Sequence, residues 1–215
     1  MLKLTNSKLT QQLRLYAVTD NRWTGRQTLM QQIEAALQGG ITMLQLREKQ
    51  MNSSDFLAEA KLVKNLSDIY NVPLIINDNL DVACQSDAAG LHIGQDDGSI
   101  AVARQKLGDN KILGVSAQTV EQAQAAEAAG ADYLGVGAIF TTNTKDDALT
   151  LNLETLKAIC QAVKIPVVAI GGITAQNIHI LLDSGIVGVA VVSAIFAQVD
   201  ITTACQTLLH ILEKI

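Results

Sequence analysis

The sequence predicts a single-domain (β/α)8 barrel, also called a TIM barrel, of the α/β class. Short β-branched runs alternate along the 215 residues with longer segments of helical period, a pattern typical of repeated βαβ units over a parallel sheet. Eight such runs occur at even spacing, and no linker-like stretch separates them. A doubly wound open sheet is the alternative, but an open sheet rarely needs eight evenly spaced strands.

Most of the predicted strands end in polar or glycine-rich residues. They cover residues 15–20, 41–47, 73–78, 90–95, 111–117, 132–140, 166–172 and 188–195. Because the active sites of TIM barrels lie at the carboxyl ends of the strands, we expect the chemistry of this protein at that rim.

The segments between the strands predict helices. Apolar residues recur at helical spacing in TLMQQIEAALQGG, SSDFLAEAKLVKNLSDIY, TVEQAQAAEAAG and LNLETLKAICQAV. The connection after the third strand leaves room for only about two helical turns. The glycines expected at left-handed positions that close helices are Gly39, Gly108, Gly130 and Gly185.

Residues 1–14 are predicted to form an extension before the barrel, which covers 15–215. The extension is polar, with scattered lysines, and lacks the apolar centre of a secretory signal. No apolar run reaches the roughly 18 residues of a membrane helix, so we expect a cytoplasmic protein without membrane association. Three roles for the extension stay open: covering the bottom of the barrel, contacting another subunit, or remaining mobile.

The composition limits the partners of the protein. A net charge of -5 and the absence of a basic run argue against a general nucleic-acid surface, so an anionic partner must be small and locally bound. Cys84, Cys160 and Cys205 fit neither a disulfide framework nor a metal site, and we expect core or helix residues there. The sequence is compatible with a homo-oligomer but does not determine the oligomeric state.

Three polar residues alternate at the end of the second predicted strand: Gln45, Arg47 and Lys49. Alternate residues of a strand share one face, so these side chains are expected to point together toward the mouth of the barrel. A guanidinium fork and a compact ammonium suit phosphate oxygens. The alternative is a solvated strand end whose charges face water.

Polar and acidic residues end the next two strands. Asn77 and Asp78 finish the third strand, and Asp96 and Asp97 follow the fourth. Adjacent strand ends lie about 5 Å apart, so carboxylates from both could hold one hard cation such as Mg²⁺, bridged to substrate phosphates. For each of these aspartates the alternative is the N-cap of a helix.

The last three strands end in segments rich in hydrogen-bond donors. TTNTK at 141–145 could wrap a ligand, with Lys145 reaching inward, or could be an ordinary hydrophilic loop. AIGGIT at 169–174 and VVSAI at 191–195 stand where many barrels bind phosphate through backbone N–H groups. A tight turn capped by Thr174 is the alternative.

The histidines do not predict a catalytic group. His92 alternates with apolar neighbours and is expected to be an interior residue, while His179 and His210 lie in helical segments with no partner acids at ligand spacing. Neither a Ser-His-acid nor a Cys-His arrangement is evident. We therefore expect a reaction that does not depend on an activated protein nucleophile.

Taken together, the rim motifs resemble the thiamine phosphate synthase family, whose members join the pyrimidine and thiazole halves of the vitamin. The matching runs, in order over residues 15–195, are LYAVTD, LQLREK, LIINDNLDVA, GLHIGQDD, LGVSAQT, DYLGVGAIFTTNTKDDA, IPVVAIGGIT and GVAVVSAI. The resemblance implies a transferase that condenses hydroxymethylpyrimidine diphosphate with a thiazole phosphate, or its carboxylated form. The implied products are thiamine phosphate and diphosphate, and the implied cofactor is Mg²⁺.

The resemblance also implies roles for individual residues. Those implied to bind the pyrimidine diphosphate are Gln45, Arg47, Lys49, Asn77, Ser116 and Lys145. The implied catalytic residues are Arg47, Lys49 and Lys145, and the implied metal ligands are Asp78 and Asp97. The residues implied to surround the thiazole phosphate are Thr142, Asn143, Thr144, Gly172, Val192 and Ser193.

The implied chemistry is a dissociative substitution. An electron-rich aminopyrimidine can stabilise a cation at its methylene carbon once the diphosphate leaves. The main task of the protein is then to stabilise charge on the leaving group. The thiazole nitrogen attacks without a general base, which agrees with the lack of a catalytic histidine.

Two positions depart from the family pattern. Thr141 stands where the family usually has proline, which leaves that loop less rigid, and Gln118 stands where it often has histidine. The nearest alternative function is a thiazole tautomerase of the same barrel family, which would use a histidine at position 118 for proton transfer. An alternative from another class is a non-catalytic sensor of phosphate ligands.

Overall fold

A computed structural model of the protein describes residues 6–141 and 151–213, and it contains a closed barrel of eight parallel strands. The strands are β1 (Leu15–Val18), β2 (Met43–Leu46), β3 (Leu74–Asn77), β4 (Gly90–Ile93), β5 (Ile112–Ala117), β6 (Tyr133–Val136), β7 (Val167–Ile170) and β8 (Gly188–Val191). Each strand pairs with the next along the chain, and β1 pairs with β8. The predicted TIM barrel is therefore confirmed, and the open-sheet alternative is wrong.

All eight predicted strands are present, and each is shorter than its predicted segment. The difference lies mainly at the carboxyl ends, where polar residues leave the sheet. Arg47, for example, was placed in the second strand by its alternation, but β2 ends at Leu46. These residues form the loops of the barrel rim instead.

Nine α-helices are found in the described ranges. They are α1 (Asn6–Gln12), α2 (Leu29–Gln38), α3 (Ser53–Ile69), α4 (Leu80–Gln85), α5 (Ile100–Leu107), α6 (Val120–Ala128), α7 (Leu153–Ala162), α8 (Ser193–Phe196) and α9 (Ile201–Leu212). The connection after β3 holds the six-residue α4, as its length predicts. After β7 the chain forms only a 3₁₀ helix, Ile178–Leu181, and a second 3₁₀ helix, Asn21–Trp23, follows β1. Within the described ranges, no helix is both long and apolar enough to cross a membrane.

Short polar side chains define where most of these helices begin. In seven of them the side-chain oxygen of the N-cap residue accepts a hydrogen bond from a backbone N–H in the first turn, which satisfies a donor that the helix itself leaves unpaired. The capping residues are Thr28, Asn52, Asn79, Ser99, Thr119, Asn152 and Asp200.

The caps of α4 and α5 decide one question that the sequence left open. Asn79 caps α4 and Ser99 caps α5, so the alternative that Asp78, Asp96 or Asp97 caps a helix is wrong. These three acids lie in the loops before the caps.

The backbone is left-handed at three of the four predicted glycines, Gly108, Gly130 and Gly185. Gly108 and Gly130 close α5 and α6, whereas Gly185 lies three residues after Leu182, the C-cap of the 3₁₀ helix. The prediction for Gly39 is wrong, because Gly39 keeps a right-handed φ of -74° as the C-cap of α2. The next residue, Gly40, takes the left-handed conformation with a φ of 91°, so the helix ends one residue later than the pattern indicates.

The apolar core has two layers. A large cluster fills the space between the strands and the surrounding helices, and a smaller cluster fills the interior of the barrel. Leu9 and Leu13 belong to the inner cluster and are buried there together with Tyr16 and Met43. Helix α1 thus covers the amino-terminal end of the barrel, which is the first of the roles considered for the extension.

The three cysteines lie on helices, as predicted. Cys84 is exposed on α4, Cys160 is half-buried on α7 and Cys205 is buried on α9. All three are free thiols.

Candidate active site

A pocket of about 280 Å³ opens at the carboxyl ends of the strands, a size that suits small molecules. Ten of the predicted site residues line it: Gln45, Arg47, Lys49, Asn77, Asp78, Asp97, Ser116, Gly172, Val192 and Ser193. The other four, Thr142, Asn143, Thr144 and Lys145, lie outside the described residues. Every predicted site residue that the structure describes is therefore brought into one cavity.

Arg47 is held at the rim by β1 and the residues that follow it. Its backbone N–H donates to Thr19 Oγ1 at 3.0 Å, and its guanidinium Nη1 lies 3.8 Å from Asp20 Oδ2. The Arg47 side chain is 25% exposed, so it is oriented by the protein and still accessible to a ligand.

Asp20 is a site residue that sequence reasoning missed. Its carboxylate accepts hydrogen bonds from the Arg22 guanidinium at 3.0 and 2.7 Å. Burial acts to raise the pKa of Asp20, but the hydrogen bonds and charge of Arg22, with the charge of Arg47, outweigh burial and lower this pKa below its ordinary value. Asp20 therefore stays ionised beside Arg47. The available signal was the acid that ends LYAVTD on the first strand.

Lys49 and Asp78 form an ion pair at the rim, between the ends of the neighbouring strands β2 and β3. Asp78 Oδ1 also accepts a hydrogen bond from Asn77 Nδ2 at 2.7 Å, and Asp97 Oδ2 accepts one from the Gly94 backbone N–H at 2.7 Å. The Asp78 backbone has a φ of 61°, which is strained for a residue other than glycine. A turn of this kind aims the carboxylate into the pocket at a cost in backbone energy.

The carboxyl groups of Asp78 and Asp97 contact each other. Burial raises the pKa of Asp78, the hydrogen bond and charge of Asp97 raise it further, and together they outweigh the lowering effect of Lys49. Two acids in contact are expensive to ionise together, and a cation between or beside them removes that cost. The donor set therefore fits a hard divalent ion.

The described side chains supply only part of the ligand set that a divalent metal ion needs. Among the residues that the structure describes, no group of three His, Cys, Asp or Glu side chains could hold a metal ion. Mg²⁺ is commonly held by one or two carboxylates together with substrate phosphates and water. Asp78 and Asp97 match this mode better than a closed protein cage.

Five hydrogen-bonded side chains cross the barrel interior below the pocket. Gln45 Nε2 donates to the Tyr16 hydroxyl at 2.6 Å, and the hydroxyls of Tyr16 and Tyr133 lie 2.9 Å apart. The Tyr133 hydroxyl lies 2.9 Å from His92 Nδ1, and His92 Nε2 lies 3.0 Å from Ser116 Oγ. We call Gln45, Tyr16, Tyr133, His92 and Ser116 the interior chain.

The structure confirms His92 as an interior residue, since it is 9% exposed. Burial lowers its pKa to about 4, although the charge of Asp97 acts in the opposite direction, so the imidazole is neutral at pH 7. Burial likewise raises the pKa of the Tyr16 and Tyr133 hydroxyls. Sequence reasoning missed both tyrosines, and the only signal was an aromatic residue in two otherwise aliphatic strands.

The glycine-rich end of the pocket is built from close backbone contacts. A Cβ on Gly172 would lie 2.5 Å from the backbone oxygen of Thr141, so only glycine fits there. A tight turn does begin at Thr174, because the backbone N–H groups of Asn177 and Ile178 donate to its carbonyl oxygen at 3.2 and 3.0 Å. The N-cap of the 3₁₀ helix that follows is Asn177, whose Oδ1 accepts from the Thr174 N–H at 2.8 Å, so the alternative is right about the turn and wrong about the capping residue.

Gln118 also lines the pocket. Its Nε2 is 3.5 Å from the Gly137 backbone oxygen. The sequence placed this residue beyond the serine of the site, but the structure makes it part of the wall. The departure from the histidine of the family pattern thus falls on the site itself.

Comparisons with known proteins agree with this geometry. The family model described as thiamine monophosphate synthase matches residues 15–195. The thiamine-phosphate synthase of Ruminiclostridium cellulolyticum is 51% identical over 197 residues, which are 92% of this chain and 94% of that one. Thiamine-phosphate synthase 2 of Streptococcus pneumoniae is 50% identical over 203 residues, 94% of this chain and 97% of that one.

A solved structure gives the same picture. The thiamine phosphate pyrophosphorylase from Pyrococcus furiosus superposes with a TM-score of 0.87 at 36% identity, covering 95% of this chain and 98% of that chain. The similarity therefore extends over the whole barrel and its rim.

Proposed function

The chain belongs to the thiamine monophosphate synthase family, and we propose that it is a thiamine-phosphate synthase. Its substrates are hydroxymethylpyrimidine diphosphate and a thiazole phosphate or its carboxylated form. It joins them into thiamine phosphate and releases diphosphate. The observation that carries this proposal is the convergence of two cations, Arg47 and Lys49, and two acids, Asp78 and Asp97, in one pocket.

Stabilisation of the leaving diphosphate is the main catalytic task in this proposal. Arg47 offers a planar fork of N–H donors and Lys49 a compact charge, and both face the same pocket. Asp20 holds Arg47 in place from the side. Lys145, which follows β6 in the sequence, is proposed as a third cation near the diphosphate. Preorganised donors of this kind can each contribute about 3 to 4 kcal/mol to the transition state.

Asp78 and Asp97 would hold Mg²⁺ together with oxygens of the diphosphate. When bound, the ion supplies positive charge that favours departure of the diphosphate. The contact between Lys49 and Asp78 supports this role, because it shows that the Asp78 carboxylate accepts a cation. Lys49 is then free to turn toward phosphate oxygens when an ion takes its place.

The organic parts of the substrates need orientation more than activation. Gln45, Asn77 and Ser116 are proposed to bind the pyrimidine. The phosphate of the thiazole is assigned to Gly172, Val192 and Ser193, together with Thr142, Asn143 and Thr144. The tight backbone at Gly172 supports a site made of main-chain groups.

The pocket supports a reaction without a protein nucleophile or base. His92 is neutral at pH 7 and both ring nitrogens already have partners. The cysteines lie on the outer helices, and burial raises the pKa of the Cys160 thiol to about 11 and of the Cys205 thiol to about 12. Loss of diphosphate followed by attack of the thiazole nitrogen requires none of these groups. We place the reaction in the cytoplasm.

The test is an incubation of the protein with both substrates and Mg²⁺, followed by assays of released diphosphate and of thiamine phosphate. The proposal requires both products in equal amounts. A tautomerase would convert the thiazole carboxylate phosphate without diphosphate release, and a sensor would bind ligand without turnover. Gln118 in the pocket wall disfavours the tautomerase, because that enzyme is expected to need a histidine there.

A further inference from the structure

The interior chain connects two walls of the pocket that lie on different strands. Gln45, on β2, and Ser116, on β5, both line the cavity. Tyr16 and Tyr133 do not line it and are fully buried. The two tyrosines and His92 therefore link the two pocket residues from below.

Two glycines make room for this chain. A Cβ on Gly114 would lie 2.1 Å from Cζ of Tyr133, and a Cβ on Gly135 would lie 3.0 Å from Cε1 of His92. Glycine within a strand costs stability and commonly marks a close approach of another group. The space for the Tyr133 ring and the His92 ring is thus built into β5 and β6.

Every hydrogen bond of the interior chain must run in the same donor-to-acceptor direction. A neutral imidazole has one donor nitrogen and one acceptor nitrogen, and each tyrosine hydroxyl has one proton. Since Gln45 donates to Tyr16, Tyr16 donates to Tyr133 and Tyr133 donates to His92 Nδ1. His92 then carries its proton on Nε2 and donates it to Ser116 Oγ.

This direction determines what the two ends offer to a ligand. The Ser116 oxygen already accepts from His92, so its own proton is available to donate into the pocket. One N–H of the Gln45 amide is used on Tyr16, which fixes the orientation of the amide and leaves its carbonyl oxygen as the acceptor, beside the second N–H. Reversal of either end requires reversal of every bond between them.

We propose that Tyr16, Tyr133 and His92 are positioning residues that impose an acceptor at Gln45 and a donor at Ser116, and so select an aminopyrimidine. This proposal rests on the proposed function for the identity of the substrate. An aminopyrimidine presents an amino donor and ring-nitrogen acceptors, which complement this pattern. An oxo analogue presents a carbonyl acceptor beside a ring N–H donor, which is the reversed pattern.

The kinetic test is Tyr133→Phe, which removes the central hydroxyl and keeps the ring. Loss of this hydroxyl uncouples Gln45 from Ser116 and should raise KM for the pyrimidine diphosphate about fivefold to tenfold, as expected for one net hydrogen bond. KM for the thiazole phosphate should be unchanged. Discrimination against the oxo analogue, measured as the ratio of kcat/KM values, should fall by a similar factor. Tyr70→Phe, at the end of α3, is the matched control and should change neither quantity.

A double-mutant cycle separates this role from a merely structural one. Gln45→Ala and Ser116→Ala should be non-additive in the otherwise unchanged protein and additive when Tyr133→Phe is also present. Equal coupling in both backgrounds would overturn the proposal. If Tyr133→Phe fails to fold, Tyr16→Phe breaks the next bond of the chain and serves in the same cycle.

A spectroscopic test needs no turnover and therefore stands apart from the proposed function. In ¹⁵N NMR of the histidine-labelled full chain, His92 should show an unprotonated Nδ1 and a protonated Nε2. Tyr133→Phe should convert this single tautomer into a mixture. A proton on Nδ1, or an unchanged tautomer in the variant, would refute the directed chain. A single Nε2 tautomer in a protein without synthase turnover would refute the proposed function alone.

Discussion

Asp20 lies between two arginines: its Oδ2 is 2.7 Å from Arg22 Nη2 and 3.8 Å from Arg47 Nη1. Arg22 supplies the strong hydrogen bonds, and Arg47 takes the weaker, more distant position on the pocket side. An arginine aligned by a carboxylate in this way loses less side-chain freedom when it binds a diphosphate. Asp20 is therefore expected to affect catalysis without contacting substrate.

Replacement of Asp20 tests this relationship. Asp20→Asn removes the charge that aligns Arg47, and we expect kcat for diphosphate release to fall about tenfold, equivalent to about 1.4 kcal/mol in the barrier. Asp68→Asn, which removes an exposed acid on α3, is the control. If Asp20→Asn retained full turnover while Arg47→Ala lost it, Asp20 would have no orienting role.

Lys49 is expected to matter more for turnover than for folding. Its side chain is 51% exposed and pairs with Asp78 at the rim, so Lys49→Ala should change the free energy of unfolding by less than about 1 kcal/mol. Loss of one preorganised charge should lower kcat by about 10²-fold. Urea denaturation and diphosphate release measure the two effects, and a large stability loss with little change in kcat would contradict the assignment.

Asp97 should control the magnesium requirement of the reaction. Asp97→Asn removes one of the two carboxylates and also a cause of the raised pKa of Asp78. We expect the Mg²⁺ concentration for half-maximal turnover to rise about tenfold or more, and chelation with EDTA to stop the unchanged enzyme. Asp109→Asn, on the exposed turn before β5, is the control. An Mg²⁺ titration that is the same for Asp97→Asn and the control would exclude Asp97 as a ligand.

The buried imidazole of His92 predicts how stability depends on pH. Its pKa is about 4 in the folded protein against an ordinary value of 6.5, so the unfolded chain binds the extra proton first as pH falls. The contribution of His92 to the free energy of unfolding is fully present above about pH 6.5. It is lost progressively down to about pH 4, by at most about 3 kcal/mol. The measurement is urea denaturation of the unchanged protein and of His92→Gln across this range. Parallel curves for the two proteins would contradict the prediction.

Gly114 is expected to be intolerant of any side chain. The Cβ in Gly114→Ala would lie 2.1 Å from the Tyr133 ring, which forces a shift in a packed interior and should cost about 1 to 3 kcal/mol of unfolding free energy. Gly25→Ala is the control, because no atom lies within 4 Å of its Cβ position. Thermal unfolding of both variants checks the prediction, and equal melting temperatures would show that Tyr133 can move aside.

Local pattern accounts for most of the correct predictions. The strands can be predicted because β-branched runs with polar ends extend over six to nine residues, and their even spacing indicates the closed barrel. The rim residues followed from the same pattern, since parallel strands bring their carboxyl ends together. The error at Gly39 shows the limit, because adjacent glycines carry the same signal and only the backbone assigns the left-handed position to Gly40.

The interior chain could not be found in this way. Tyr16 and Tyr133 are 117 residues apart, and nothing in LYAVTD or DYLGVG indicates that the two hydroxyls meet. Asp20 and Arg47 are likewise joined only because β1 and β2 are neighbours. Such contacts depend on which strands pair, in which register, and on where glycine leaves space.

The sequence by itself determined the barrel, the rim where the chemistry lies and the types of group found there, because each of these follows from periodicity and from short motifs. Tertiary structure alone decided which acid orients Arg47 and that the carboxyl groups of Asp78 and Asp97 are in contact. It also decided that one series of hydrogen bonds joins Gln45 to Ser116. Those facts depend on distances of about 3 to 4 Å between side chains on, or just after, different strands, and closure of the barrel sets them.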